Sequence, residues 1–279
     1  MSHNQQHKAA VINDFASFGR CSLAVAIPIL SAMKVQCCAV PTAIFTNHTG
    51  FPSFSWTDYT AHMDDYIREW TRLGLRFSAI QTGFLGSKEQ IDFVFRFLEA
   101  FHKGDELPIV AVDPVMGDSG RLYSTYSREL AEGMRRLIPV ADILTPNLTE
   151  ACVLAAVEYD SAMDDGAIWE ICEKLSAPNN AKVVITGVER GGRLVNFALD
   201  PSASRRRFTC EEEKIGGDRS GAGDVFSSVI LADAINGVAF GESVAKAARF
   251  VAHAVERSEA LQLPRTDGLA IEDVLSDLL

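Results

Sequence analysis

Gly216-Gly217-Asp218-Arg219-Ser220-Gly221-Ala222-Gly223-Asp224 runs without a break into Val225-Phe226-Ser227-Ser228-Val229-Ile230-Leu231. Small residues pass into an apolar segment of helical character, with one carboxylate at the junction. Glycine lets the backbone reach positive φ and approach a ligand with no Cβ in the way. The first turn of a helix leaves N–H groups unpaired, and its dipole adds partial positive charge. Together these make an anion site suited to phosphate. A carboxylate there is poorly placed to bind phosphate, but well placed to take a proton from an alcohol attacking it. The plainer alternative is a glycine-rich loop whose Asp merely favours the helix N-terminus.

The chain around this stretch alternates strands and helices. Residues 9–13 read as a short buried strand, 14–20 as a turn and 21–33 as a helix interrupted by Pro28. Strands are expected at 38–45, 77–82, 109–113, 142–145 and 182–186. Helices are expected at 58–73, 88–102 with Ser87 as N-cap, 128–138, 147–157 and 164–175. Gly191-Gly192 marks a hairpin into 193–198, with 206–210 as an edge strand. Helices at 225–235, 243–257 and 271–278 close the chain, and 51–56 reads as an aromatic flap or edge hairpin. Apolar strands alternating with helices predict an α/β fold, a mainly parallel sheet covered on both faces. Ligands bind such sheets beyond the carboxyl ends of the strands. Polar clusters fall there repeatedly: Asp14, residues 47–50, Gly83-Phe84, 113–118, 147–150 and Thr186-Gly187.

With 279 residues, 47% of them hydrophobic, the chain can bury a large core as a single domain over 9–279 after a polar tail, 1–8, expected to be disordered. A net charge of −11 argues against nucleic acid and anionic membrane as partners. Six scattered cysteines without a C-x-x-C pair or a His cluster argue against zinc and fit a reducing cytosol. The N-terminus has no apolar core of a signal peptide, and no run is long enough to span a bilayer, so a cytoplasmic protein is expected. A Walker G-x-x-x-x-G-K-[ST], a G-x-G-x-x-G after the first strand, a G-x-S-x-G and an H-E-x-x-H are all missing.

Asp113-Pro114-Val115-Met116-Gly117-Asp118 puts two hard oxygen donors in one loop, suited to Mg²⁺ carrying nucleotide phosphates; the alternative is an ordinary Asp-Pro turn. In Thr145-Pro146-Asn147-Leu148-Thr149-Glu150, Asn147 and Glu150 have capping-box spacing, yet also offer two oxygens toward a metal. His48, in Asn47-His48-Thr49-Gly50, reads by default as a hydrogen-bonded structural histidine. Phe84, between glycines, could fill the core or stack on a planar ring.

Asn47 to Gly50, Thr82-Gly83-Phe84-Leu85-Gly86-Ser87, the DPVMGD block, TPN-x-x-E and Gly221-Ala222-Gly223-Asp224 occur in the order that resembles the vitamin B6 kinase (pyridoxal kinase) branch of the ribokinase-like family. The resemblance runs from about residue 9 to 254 and implies a three-layer ribokinase-like α/β fold. It implies ATP-dependent phosphorylation of a pyridine hydroxymethyl group, with ATP and Mg²⁺ as cofactors, K⁺ left open, and a homodimer. By the same resemblance Asp224 is the base, the amides of Gly221, Ala222 and Gly223 an anion hole, and Asp113, Asp118 and Glu150 the metal-side carboxylates. Asp113, Asp118, Asn147, Thr186, Gly221 and Gly223 fall on the ATP side, and Asp14, Thr49, Phe84 and Asp224 on the acceptor side. Two departures stand out: Asn13-Asp14-Phe15 replaces a Gln-Ser-His-like segment, and Gly-Ala-Gly-Asp replaces Gly-Thr-Gly-Asp. Both bear on the acceptor, leaving a hydroxymethylpyrimidine or sugar kinase, or a B6- or nucleotide-binding protein with little turnover, as alternatives.

Overall fold

β1 (Lys8–Ala16) is buried on both faces: Ala10 and Ile12 enter one apolar cluster, Ala9 and Val11 the other. Alternate residues of one strand thus serve two cores, which requires helices on both sides of the sheet. The structure, a computed structural model, describes residues 3–104 and 106–279. After β1 come α1 (Leu23–Ala32), β2 (Gln36–Phe45), β3 (Trp56–Asp58), α2 (Thr60–Arg72), β4 (Ala79–Thr82), α3 (Lys88–Phe101) and β5 (Ile109–Val112). A small hairpin, β6 (Gly117–Asp118) and β7 (Arg121–Leu122), leads to α4 (Arg128–Gly133), β8 (Ile143–Leu144), α5 (Leu148–Ala155) and α6 (Asp165–Ser176). β9 (Lys182–Arg190), β10 (Arg193–Leu199) and β11 (Arg207–Glu213) precede α7 (Ala222–Ile235) and α8 (Phe240–Ala260).

Among the described residues, nine strands form one sheet in the order β11-β10-β9-β8-β5-β4-β1-β2-β3. The pairings from β2 through β9 are parallel, whereas β3, β10 and β11 pair antiparallel at the two edges. One face packs the buried side of α3, with Phe93, Phe97 and Phe101, together with α5 and α6. The other face packs α1, α7 and α8. Fully burying a side chain such as Ile12 or Phe97 stabilises the fold by about 1.5–3 kcal/mol relative to exposure. This is the three-layer α/β architecture expected, with the parallel strands aiming their carboxyl ends at one edge.

Several local expectations need correction. Asp14 belongs to β1 rather than to a turn, because the strand runs on to Ala16 through a register shift, with Asn13 facing Pro41 and Phe15 facing Ile44. The helix expected from residue 58 starts at Thr60, since Trp56–Asp58 pairs with β2. The helix expected at 128–138 is α-helical only to Gly133, then tightens to a 3₁₀ segment, Met134–Val140, in which Pro139 supplies no N–H. The helix expected at 271–278 is two 3₁₀ turns, Ile271–Asp273 and Leu275–Leu278. Pro28 lies inside α1, which begins two residues later and ends one earlier than the spacing suggested.

Of the segment expected as a tail, Met1 and Ser2 lie outside the described residues. Asn4 donates from Nδ2 to the Gly74 carbonyl at 3.0 Å, and its Oδ1 accepts from the Arg76 amide at 2.9 Å. No helix among the described residues is long and apolar enough to cross a membrane.

Candidate active site

Gly221 is the N-cap of α7 with φ 82°, and a Cβ there would lie 2.0 Å from the Arg20 carbonyl oxygen. No other residue fits that turn. The first helical hydrogen bond of α7 is Val225 N–H to Gly221 O at 2.9 Å, so the amides of Ala222, Gly223 and Asp224 precede it. A Cβ on Gly223 would meet nothing within 4 Å, which leaves open space at this helix end. The glycine-rich stretch therefore presents donors to an opening at the edge where the parallel strands end.

Asp224 lies in the first turn of α7, partly accessible to solvent. Its Oδ1 accepts from Asn13 Nδ2 at 3.1 Å. Asn13 Oδ1 accepts two amide N–H groups, Phe84 at 2.7 Å and Asp14 at 3.0 Å. An oxygen holding two donors fixes the amide's orientation, so the Nδ2 donor must face the carboxylate. Gly83 makes the room: a Cβ there would lie 2.4 Å from the Asn13 side chain. Desolvation raises the Asp224 pKa, while the Ser22 amide and the Asn13 side chain pull it back. The result is a carboxylate somewhat more basic than usual and aimed by a fixed donor.

Around Asp224 the strand ends gather buried carboxyl groups. Asp14 accepts from Ser22 Oγ at 2.6 Å, and its pKa is pushed up to about 7 by burial first, with the charge of Asp224 adding. Asp113, after β5, is 5% exposed and faces the hydroxyls of Ser227 and Thr145. Its pKa also rises to about 7, again by burial and then by Asp224. Glu150 is raised well above the usual range by burial and then by Asp113. Its Oε1 accepts from the Met116 amide at 3.1 Å and its Oε2 from the Asn147 amide at 2.9 Å. Asn147 Oδ1 returns the bond from the Glu150 amide at 3.0 Å, and its Nδ2 donates to Gly117 O at 2.8 Å. The capping-box reading of this pair is thus realised in full, and it also ties α5 to the 113–118 loop.

Asp118, on the β6–β7 hairpin, accepts from the Ser119 amide at 2.6 Å, and burial raises its pKa. Asp113, Asp118 and Glu150 offer only oxygen, the donor type Mg²⁺ takes, and charge coupling runs from Asp113 to Glu150 and from Glu150 to Asp118. Among the described residues, no group of three or more His, Cys, Asp and Glu side chains is placed to hold an ion unaided. The donor type alone suits Mg²⁺, and only one that keeps water and phosphate oxygens in its shell would need no closed protein cage.

The remaining expected residues divide. Thr186, in β9, donates its amide to Pro146 O at 2.9 Å and bridges Asn147, so it stands beside the same strand end. Thr49 lies in the half-buried loop between β2 and β3. His48, in that loop, accepts from the Gly50 amide at Nδ1, 3.1 Å, leaving Nε2 to donate to Thr266 O at 2.6 Å. Both ring nitrogens are used, as its structural reading required. Phe84 is buried edge-on against Tyr126, 5.8 Å, and Phe45, 6.1 Å, so its ring is part of the core cluster. Trp56 stacks on Phe45 at 5.5 Å and 10° while staying 44% exposed. Sequence reasoning passed over Asn13, Ser22 and Trp56. The one signal for Asn13 was the pair of glycines around Phe84, which leaves space for a neighbouring side chain.

Residues 27–269 match the family model for phosphomethylpyrimidine kinase. A Bacillus subtilis pyridoxine kinase is 30% identical over 220 residues, 74% of this chain and 76% of that protein. An Arabidopsis thaliana pyridoxal kinase is 31% identical over 193 residues, and the match spans 67% of this chain but only 61% of that longer protein. Among solved structures, a candidate phosphomethylpyrimidine kinase from Bacteroides thetaiotaomicron, in an orthorhombic crystal form with pyridoxal, superposes with a TM-score of 0.93. It is 34% identical, with 98% of this chain and 96% of that chain covered. The chain belongs to this phosphomethylpyrimidine and pyridoxal kinase family, of ribokinase-like fold.

Proposed function

We propose that this family member transfers the γ-phosphoryl group of ATP to the 5′-hydroxymethyl group of a vitamin B6 vitamer: pyridoxal, pyridoxamine or pyridoxine. The observation that carries the reading is the carboxylate of Asp224, held by Asn13 and set beside the open amides of Ala222 and Gly223. A pure binding protein has no use for a carboxylate beside an anion site. Phosphoryl transfer depends on in-line positioning and charge stabilisation more than on covalent chemistry. The amides at the start of α7 would donate to the oxygens of the group in flight. Asp224 would take the hydroxymethyl proton, and its raised basicity favours that step. Asp113, Asp118 and Glu150 would hold a nucleotide-borne Mg²⁺, largely through water, and that ion would neutralise phosphate charge. Asn147 and Thr186 would flank the nucleotide phosphates, and Asp14, Thr49 and Phe84 the acceptor ring.

The B6 acceptor is supported by the pyridine-type relatives and by pyridoxal in the Bacteroides crystal. A second reading, hydroxymethylpyrimidine as acceptor, is favoured by the family model's own description. Steady-state ADP production with Mg-ATP and each of pyridoxal, pyridoxamine, pyridoxine, hydroxymethylpyrimidine and ribose separates them. A kcat/KM for one B6 vitamer at least tenfold above the rest is expected. Preference for hydroxymethylpyrimidine would shift the acceptor and keep the mechanism; binding without ADP release would end the kinase reading. The homodimer is part of the same proposal. The short edge strand β3 leaves Trp56 and Ile44 exposed at 44% and 41%, a surface suited to self-association, and light scattering of the purified chain tests it. A cytoplasmic site of action is supported by six free cysteines.

A further inference from the structure

Arg219 precedes the anion-binding turn by two residues, and its side chain is 1% exposed. Its Nη2 donates to Glu259 Oε1 at 2.9 Å and to Leu263 O at 3.1 Å. Its Nη1 donates to Pro264 O and Gly268 O, each at 3.3 Å. Three of these four acceptors are main-chain carbonyls from one strap, residues 263–268, and the fourth is a carboxylate. Carbonyl oxygens converging beside a carboxylate are what a dehydrated monovalent cation takes. Here a guanidinium already fills the set, so these residues do not fit a bound K⁺.

The strap reaches the whole site. Arg20 pairs with Gly268 in a parallel bridge, and its amide donates to Asp267 O at 3.1 Å. The Arg20 carbonyl oxygen is wedged between Gly221 and Gly268: added Cβ atoms would lie 2.0 Å and 2.7 Å from it. His48 Nε2, from the β2–β3 loop, meets Thr266 O. Moving the strap thus moves Arg20, and through it the Gly221 turn that opens α7.

We infer that Arg219 is a positioning residue that serves as the fixed internal cation behind the anion hole, making the enzyme independent of K⁺ and other monovalent cations. The inference rests on the kinase reading above for its role in turnover, but the carbonyl cage can be tested without turnover. Wild-type kcat, with the best acceptor of the panel, is compared in KCl, NaCl and tetramethylammonium chloride at equal ionic strength. A change of less than about twofold is expected, and a wild-type enzyme that needs K⁺ would overturn the proposal. Arg219→Met should lower kcat about tenfold or more while the acceptor KM stays within about threefold, since no acceptor-side residue is touched. KCl, but not tetramethylammonium, should restore part of that loss. A loss no alkali cation restores, or an unchanged kcat, would count against it. Arg219→Lys, which keeps the charge, should be intermediate and less responsive to K⁺, and it serves if the Met variant does not fold. Melting temperatures in the same salts need no activity: K⁺ should stabilise Arg219→Met over tetramethylammonium and leave the wild type unchanged. Melting curves that behave this way alongside absent ADP release would reject the kinase reading and keep the cage.

Discussion

At the scale of single residues the site turns on Asn13 more than on Asp14, the neighbour that sequence reasoning chose. Asn13 spends its oxygen on the Phe84 and Asp14 amides and its nitrogen on Asp224, so one side chain ties the Asp224 carboxylate to the Phe84 and Asp14 backbone. Asn13→Ala would leave those two amides and Asp224 without their partner, a cost of about 1–3 kcal/mol for each buried group. We expect kcat to fall about tenfold or more, because the carboxylate loses its aim, with nucleotide KM nearly unchanged. Asn13→Asp sets a second carboxylate against Asp224. Like charges raise each other's pKa, so the acid limb of the kcat/KM profile should move to higher pH. A profile unmoved in Asn13→Asp, with kcat intact in Asn13→Ala, would remove Asn13 from the mechanism. Asp224→Ala should lower kcat about a hundredfold or more and spare nucleotide binding, as measured by titration with a nonhydrolysable ATP analogue.

At the scale of elements, two helix starts build the site by different means. α7 starts on a left-handed glycine, and Gly221→Ala asks an L-residue both to hold φ 82° and to occupy space 2.0 Å from the Arg20 carbonyl. That substitution should displace the amides of the turn and cut kcat severely, while Gly223→Ala, with open space around it, should leave the fold's melting temperature nearly unchanged. α5 starts on a capping box, and Asn147→Ala should cost about 1 kcal/mol of stability, read by urea denaturation. A denaturation midpoint equal to wild type would mean that the Gly117 and Glu150 bonds contribute nothing. The caps at Ser87 and Asn147 were legible in sequence because capping is local: the side chain, its spacing and the amide it meets lie within one turn. The parallel sheet was legible because strands buried on two faces must be apolar throughout. What escaped was set by distant partners. Asp14 looked like a turn residue because the β2 register shift and the Ser22 hydroxyl that let a carboxyl sit inside a strand are invisible along the chain. The 3₁₀ segments escaped because i, i+3 spacing serves a helix of either pitch over so few residues.

At the scale of the whole molecule, folding carries several carboxyl groups into one end of a sheet and leaves them there with few countercharges. Burial pushes the Asp14 and Asp113 carboxyls up to about 7, well above an unfolded Asp at about 3.9. Groups raised in this way hold their protons more tightly in the folded state. Their contribution to stability is fully present below about pH 4 and is lost as pH rises through about 7. The net charge of −11 acts in the same direction, since ionising further carboxylates adds repulsion. The ligand-free protein should therefore melt at a higher temperature at pH 6 than at pH 8. Asp14→Asn keeps an oxygen for the Ser22 hydroxyl but cannot ionise, so its melting temperature should vary less between those pH values and exceed wild type at pH 8. On the proposed function Mg-nucleotide would bind the ionised carboxylates, so its stabilising effect should be larger at pH 8 than at pH 6. Scanning calorimetry across this range decides the matter. A wild-type melting temperature that climbs from pH 6 to pH 8, or an Asp14→Asn variant less stable than wild type at pH 8, would show that these carboxyl groups are ionised in the folded protein at no cost. The polar end of the sheet would then be held by pairing rather than poised to receive a cation.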